Sequence, residues 1–159
     1  MSPDADSLAP EIRVTQLGED ALLFLFTSPD AQSVALPIQQ KLWQMSYWLE
    51  SQRVSLGLLE IVPGMGNLLI RASRKTLLNT LRDLVLTHWP KLSGSDVQGR
   101  LLEIPVSYGG AHGPDLEAAA AHCGISKERF IALHSATVYR VYCLGFQPGF
   151  AYLGGLDPA

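Results

Sequence analysis

The sequence predicts an α+β fold, with a two-layer ββαββα unit first and a second, β-rich unit after it. Two observations lead to this prediction. The spacing of apolar residues switches between strand and helix periods along residues 12–90, and the pattern restarts after the polar stretch KLSGSDVQGR at 91–100. A chain of 159 residues is long enough for one domain or two small ones.

The first unit contains two predicted hairpins. Apolar runs at 12–17 and 21–27 flank the turn-like residues Gly18-Glu19-Asp20. The runs SLGLLEIV and NLLIRA, within 55–72, flank Pro63-Gly64-Met65-Gly66, where glycine permits the positive φ of a tight turn. Two such hairpins can merge into one four-stranded antiparallel sheet.

Two helices are predicted in the same unit, at 33–52 and 74–89, and both are expected to cover one face of the sheet. The second helix is expected to end at Trp89-Pro90, because a residue before proline resists the α conformation. The residues predicted to face inward are Ala35, Ile38, Leu42, Met45 and Leu49 in the first helix, and Leu77, Leu81, Leu84, Val85 and His88 in the second.

The domain boundaries follow from composition. Residues 1–11 are acidic with two prolines and are predicted to form a disordered tail, residues 12–90 the first domain, and residues 91–100 a linker. Residues 101–159 form the second unit. It is expected to contain a strand at 101–107, a helix from Pro114 to Gly124, a short helix from Ser126 to His134, a strand at 138–144 and a terminal glycine- and aromatic-rich loop.

Composition excludes several classes of function. A net charge of −3 and a pI near 5.7 give no basic field for nucleic acid or an anionic membrane surface. No apolar run approaches the roughly 18 residues of a membrane-spanning helix. With only two cysteines, Cys123 and Cys143, a disulfide scaffold is excluded, and a reducing cytoplasm is the predicted location.

Neither a phosphate-binding loop nor a dinucleotide-binding fingerprint occurs, so this chain alone is expected to bind no ATP or other cofactor. His112, His122, Cys123 and His134 match no zinc spacing, so no metal site is predicted. The sequence favours a structural interpretation of the remaining polar residues. His134 is expected to cap carbonyl groups at a helix end, and Asp115 and Glu117 to be acids at a helix N-terminus.

Residues 145–155 stand out, because they hold four glycines, two phenylalanines, a tyrosine and Gln147. Glycine allows close approach to the backbone, and aromatic rings provide flat apolar walls. Such a segment suits a small-molecule pocket or a protein interface. A structural turn whose rings plug a barrel fits the same composition, and residue types alone leave the two interpretations open.

Several motifs occur together in a fixed order. They are P-V-x-Y-G-G at 105–110, G-P-D-L at 113–116, His134-Ser135 with Tyr139, and G-F-x-P-G-F-x-Y-L-G at 145–154, preceded by G-[ED]-x-A-L-[LV] at 18–23 and P-G-M-x-N-L at 63–68. From residue 12 onward the sequence thereby resembles the Kip-inhibitor/allophanate-hydrolase subunit 1 family, nearest its 5-oxoprolinase branch. The resemblance implies a two-layer α/β domain and a cyclophilin-like β-barrel, of which residues 101–159 would form the start and leave the barrel incomplete.

The resemblance implies three possible functions. In the first, the chain works with 5-oxoprolinase subunits A and C, which together use ATP to open the lactam of 5-oxo-L-proline to L-glutamate, with the ATP belonging to the complex. In the second, it inhibits a sensor histidine kinase by docking on it, and in the third it belongs to a urea or allophanate pathway. Catalytic residues stay unassigned. The residues expected to bind substrate or a neighbouring subunit are His134, Tyr139, Phe146, Gln147, Pro148, Gly149, Phe150 and Tyr152.

Overall fold

The computed structural model describes residues 10–27, 34–73, 77–94 and 99–155. Its antiparallel sheet and four α-helices confirm the predicted α+β class. Residues 1–9 of the predicted tail and residues 95–98 of the predicted linker lie outside the described residues. The strands are β1 (Glu11–Leu17), β2 (Ala21–Thr27), β3 (Leu58–Pro63), β4 (Asn67–Ala72), β5 (Arg140–Leu144) and β6 (Ala151–Gly154). The helices are α1 (Leu36–Ser51), α2 (Leu77–His88), α3 (Leu116–His122) and α4 (Lys127–Ala136).

The first four strands form one antiparallel sheet in the order β1-β2-β4-β3. Phe24 of β2 pairs with Val14 on one side and Leu68 on the other, so the apolar faces of the two hairpins are in register. Strand β1 begins at Glu11, inside the predicted tail. Glu11 pairs with Thr27, whose hydroxyl donates a hydrogen bond to the Glu11 carbonyl (3.3 Å).

Helices α1 and α2 share one core with the inner face of this sheet. Pro37 stands in the first turn of α1, where its missing N–H costs no hydrogen bond. Helix α2 ends at His88 and passes into a 3₁₀ turn at Trp89–Lys91, as the proline at 90 requires. The fully buried centre of the core comprises Phe24, Phe26, Leu42, Met45, Leu49, Leu68, Ile70 and Val85, together with the amide side chain of Gln39.

The inner face of α2 differs from the predicted one at two positions. Leu78, which the apolar spacing did not select, is buried, whereas His88 is only half-buried and stacks on Trp48, with 4.0 Å between ring centres. Trp89 is also buried, and its ring packs 4.2 Å from that of Phe26. Compared with the predicted orientation, α2 is therefore turned about its own axis, so that Leu78, Leu81 and Val85 are its buried residues.

The end of α3 and the start of α4 are those that the sequence predicts, whereas α3 begins at Leu116 rather than Pro114 and α4 ends at Ala136 rather than His134. The N–H groups of Gly124 and Ile125 donate to the carbonyls of Ala121 and Ala120 (both 3.1 Å), a Schellman arrangement that the positive φ of Gly124 permits. Helix α4 begins after Ser126, whose hydroxyl accepts a hydrogen bond from Arg129 N (3.2 Å).

The strand predicted at 101–107 is absent. These residues are exposed and form no ladder with any strand in the described part of the chain. Ile104, for example, has 77% of its surface exposed. A strand is stabilised only by pairing with another strand, and Pro105 removes one of the N–H donors that such pairing would use. The apolar pattern alone was therefore insufficient to form a strand here.

Candidate functional site

The strand predicted at 138–144 and the segment predicted as a terminal loop together form a hairpin, which we call the aromatic hairpin (residues 140–154). Strand β5 pairs antiparallel with β6, and the turn is closed by hydrogen bonds from Gly145 N to Phe150 O (3.1 Å) and from Phe150 N to Gln147 O (3.0 Å). The loop prediction was therefore wrong for Ala151–Gly154, because these residues pair with β5.

Three aromatic rings line up along the aromatic hairpin. The rings of Phe146 and Phe150 meet edge to face with centres 5.5 Å apart, and those of Phe150 and Tyr152 do so at 5.4 Å. Their exposed fractions are 81% for Phe146, 48% for Phe150 and 41% for Tyr152. The row is thus a contiguous apolar surface that contacts water.

Phe146 has a φ of 62°, which L-residues rarely adopt because Cβ approaches the following carbonyl. A non-glycine residue in this region costs about 1–2 kcal/mol. The turn holds Phe146 in this conformation although its side chain gains little burial in return. Strain combined with exposure is typical of a residue retained for contact with another molecule.

Two glycines of the aromatic hairpin lie against tyrosine rings. A Cβ on Gly154 would lie 2.7 Å from the ring of Tyr142, and a Cβ on Gly145 would lie 3.3 Å from the ring of Tyr152. Gly149 has open space around it and a φ of 83°. Gly145 and Gly154 therefore accommodate neighbouring tyrosine rings, and Gly149 permits the tight turn.

The structure places the six predicted residues of the hairpin together. Gln147, Pro148 and Gly149 form its exposed tip, between Phe146 and Phe150. No residue from 145 to 151 has an ionisable side chain. This tip is therefore suited to contact with apolar groups and peptide amides.

His134 and Tyr139 meet in a second cluster, at the end of α4. The Tyr139 hydroxyl donates to the His134 carbonyl (3.1 Å), and the His134 ring lies beside the rings of Phe130 and Tyr139. His134 Nδ1 is hydrogen-bonded to the hydroxyl of Tyr108 (2.5 Å). The imidazole therefore binds a phenol rather than capping helix carbonyls as predicted. The hydroxyls of Tyr139 and Thr137 bind carbonyls of the last turn of α4 instead.

Tyr108 and Tyr142 are the residues that sequence reasoning missed. Tyr108 lies within the P-V-x-Y-G-G motif, so the motif itself could have drawn attention to it. The carbonyl of Tyr142 accepts hydrogen bonds from Trp43 Nε1 (2.9 Å) and Gln39 Nε2 (3.3 Å), both in α1. These contacts join the aromatic hairpin to the first unit, and nothing in the local sequence signals them.

One of the two acidic residues at the start of α3 has a partner in an ion pair. Glu117 forms an ion pair with Lys127 (2.8 Å), and hydrogen bonding to that ammonium lowers the pKa of Glu117. Within the described residues, no group of three or more His, Cys, Asp and Glu side chains is arranged to hold a metal ion. Over the same residues, no helix has the length and apolar character needed to cross a membrane.

The two cysteines are free and differ in their surroundings. Cys123 is exposed at the end of α3, whereas Cys143 is half-buried against the β3–β4 turn. Burial raises the pKa of the Cys143 thiol, and a hydrogen bond from the Met65 backbone offsets this only in part.

We expect iodoacetamide at pH 8 to alkylate Cys123 well before Cys143. The thiolate is the species that reacts with iodoacetamide. At Cys143 the raised pKa lowers the fraction of thiol present as thiolate, and partial burial limits access of the reagent to the sulfur. Mass spectrometry of peptides over time measures the two rates, and the same experiment in 8 M urea is the control, where the rates should converge. Equal rates in the folded protein would contradict this assignment.

The comparisons with known proteins decide the family. The family model for the carboxyltransferase domain, subdomain C and D, matches residues 12–159. This chain belongs to that family. Membership confirms the resemblance to the Kip-inhibitor/allophanate-hydrolase subunit 1 proteins that the motifs at 105–154 indicate.

Curated members of the carboxyltransferase subdomain C/D family are similar over most of the chain. The B subunit of 5-oxoprolinase from Escherichia coli O157:H7 is 37% identical over 142 residues, which cover 88% of this chain and 62% of that protein. Its namesake from Haemophilus influenzae is 36% identical, over 91% of this chain and 65% of that protein. The chain thus spans less than two thirds of the length of these relatives.

A solved structure shares the fold. The crystal structure of TTHA0988 in space group P6522 superposes with a TM-score of 0.65 at 30% sequence identity. The match covers 87% of this chain and 25% of TTHA0988. The fold of this family member therefore recurs as one part of a larger polypeptide.

Proposed function

We propose that this chain is the B-type subunit of an ATP-dependent 5-oxoprolinase complex. The observation that carries the proposal is 36–37% identity, across about nine tenths of the chain, to two proteins named as the B subunit of 5-oxoprolinase. The complex would open the lactam of 5-oxo-L-proline to L-glutamate in the cytoplasm, together with the A and C subunits. ATP would be bound by the complex and not by this chain.

We assign most of the catalytic work to the other subunits. A lactam carbonyl is a poor electrophile, and transfer of the γ-phosphoryl group of ATP to its oxygen would allow water to attack the carbon and release the ring nitrogen. A second water would then hydrolyse the resulting acyl phosphate. Products would be L-glutamate, ADP and phosphate. The hairpin turn at 145–151 contributes no acid or base to such a step, whereas its exposed rings suit contact with a protein.

The contact that we propose is between the aromatic hairpin and the C subunit. Aromatic residues dominate the energetics of protein interfaces, and the Phe146–Phe150–Tyr152 row is exposed, contiguous and held on a paired hairpin. His134 and Tyr139 are proposed to support the same region by fixing the end of α4. Tyr108 belongs to the same cluster, because its hydroxyl is hydrogen-bonded to the His134 ring.

We also propose that the second unit contributes the first part of a cyclophilin-like barrel. Residues 101–107 are exposed and unpaired within the described chain, and the β5–β6 sheet has only two described strands. Such elements expose backbone groups that pairing with further strands would satisfy. Their exposed apolar side chains support the same proposal; they are Leu101, Leu102, Ile104, Val106, Val141, Leu144 and Leu153.

We expect the purified chain alone to hydrolyse no ATP and to release no glutamate from 5-oxo-L-proline. The reason is that its sequence contains no phosphate-binding loop. Coupled assays for ADP and glutamate measure this for the chain alone, for the A and C subunits without it, and for all three together.

Glutamate release that requires all three proteins and ATP supports the proposed function. Release by this chain alone contradicts the division of labour, and no release by the three together contradicts the proposed function. Binding to a sensor histidine kinase with no effect on 5-oxo-L-proline would favour the inhibitor function instead.

A further inference from the structure

One side chain in the core connects three separate parts of the chain. Gln39 of α1 is fully buried, and its Oε1 accepts a hydrogen bond from Gly66 N (3.0 Å). Its Nε2 donates to the Gly64 carbonyl (3.1 Å) and to the Tyr142 carbonyl (3.3 Å). A buried amide is stable only when its polar atoms are paired, so Gln39 ties α1 to the β3–β4 turn and to β5.

Trp43 lies one helical turn after Gln39 and therefore on the same face of α1. Its indole Nε1 donates to the same Tyr142 carbonyl (2.9 Å). Its ring also meets the Tyr142 ring edge to face, with centres 6.0 Å apart. Two donors from one helix thus converge on a single carbonyl oxygen of the aromatic hairpin.

The carbonyl of Tyr142 is available to α1 because the hairpin has a bulge at this residue. Val141 pairs with Leu153 and Cys143 pairs with Tyr152, so Tyr142 has no partner among the described residues of β6. A bulge leaves the extra residue outside the ladder. Gly154 then makes room for the Tyr142 ring, since a Cβ there would lie 2.7 Å from it.

We infer that Trp43 and Gln39 are positioning residues that hold the aromatic hairpin in place for the C subunit; this inference rests on the proposed function. The bulge at Tyr142, the two donors of α1 and the missing side chain of Gly154 act together at one point. The hairpin itself presents the Phe146, Phe150 and Tyr152 rings. The α1 donors fix where those rings stand relative to the first unit.

Trp43→Phe tests this inference, because phenylalanine keeps an aromatic ring against Tyr142 but has no N–H donor. Trp48→Phe is the matched control, since it removes an indole from the same helix at a position that stacks on His88. Hydrogen–deuterium exchange of the full chain, read on peptides within 140–154 and within β2 and β4, reports opening of the hairpin separately from opening of the sheet.

We expect Trp43→Phe to speed exchange in 140–154 by roughly fivefold to tenfold, in keeping with the loss of one hydrogen bond, and to leave β2 and β4 unchanged. Trp48→Phe should not speed exchange in 140–154. In NMR spectra of the wild-type chain, the indole N–H of Trp43 should exchange more slowly with solvent than that of Trp48. The Trp43 signal is assigned by its disappearance in Trp43→Phe.

Binding to the purified C subunit completes the test. A hairpin that loosens in Trp43→Phe, with affinity for the C subunit reduced by a similar factor, supports the inference. Unchanged exchange in 140–154, or a loosened hairpin with unchanged affinity, overturns it. If the wild-type chain does not bind the C subunit, the proposed function fails, and the exchange data still decide whether Trp43 positions the hairpin.

Discussion

Replacing Phe146 with alanine is expected to weaken binding to the C subunit of the complex by about 30-fold or more, with little loss of stability. A central aromatic residue of an interface contributes on the order of 2 kcal/mol or more. The free energy of unfolding should change by less than about 1 kcal/mol, because 81% of the Phe146 surface is already exposed. Phe150→Ala should behave similarly, with a somewhat larger loss of stability since its ring contacts both neighbours.

Two further variants make this prediction specific to the ring. Phe146→Gly removes the same side chain while tolerating the φ of 62°, so equal losses of affinity in the alanine and glycine variants assign the effect to the ring. Tyr47→Ala removes an exposed aromatic residue from α1 and should leave affinity unchanged. Titration calorimetry and urea unfolding measure the two quantities. A loss of about 3–5 kcal/mol in stability with unchanged affinity would identify Phe146 and Phe150 as core residues.

The second large effect is expected at Gln39. Gln39→Leu should lower the free energy of unfolding by roughly 2–4 kcal/mol, because it leaves the buried Gly66 N–H and the Gly64 carbonyl without their partners. The Tyr142 carbonyl keeps its bond to Trp43, so the main loss is at the β3–β4 turn. Urea unfolding followed by circular dichroism measures the change.

Gln16→Leu is the matched control for Gln39→Leu. Gln16 is exposed on β1, and its amide donates to the nearby Gly18 carbonyl, so its replacement should change stability by less than about 0.5 kcal/mol. A decrease of less than about 1 kcal/mol in the free energy of unfolding of Gln39→Leu would mean that water binds the Gly66 N–H and the Gly64 carbonyl in place of the amide. The role assigned to the buried amide would then be wrong.

Local patterns were sufficient for the helices and strands of the first unit. Apolar spacing within 33–52 predicts a helix, and α1 runs from Leu36 to Ser51. Pro90 predicts the end of α2, which stops at His88. The turn residues Pro63–Gly66 predict the connection between β3 and β4. In each case the deciding interactions are between residues close in sequence, or between apolar side chains and any sufficiently apolar surface.

The same patterns were insufficient in the second unit. The segment 101–107 has strand composition but no partner strand within the described chain, and β6 was hidden in a stretch whose glycines and aromatic residues predicted a loop. A strand depends on what lies beside it, which its own residues do not specify. Sequence reasoning selected several residues of the candidate site, including Phe146 and Phe150, but it missed Tyr108 and Tyr142 and did not predict the arrangement.

By itself, the sequence determined the α+β class, the elements of the first unit and the family, because these depend on periodicity, turn residues and ordered motifs. Only the tertiary structure decided that Tyr142 meets Trp43 and Gln39, which are 99 and 103 residues away in the chain. It also decided that the His134 ring binds Tyr108 and that Gly154 makes room for the Tyr142 ring. The physical reason is that a backbone carbonyl carries no sequence signal, so its partners become known only once the chain is folded.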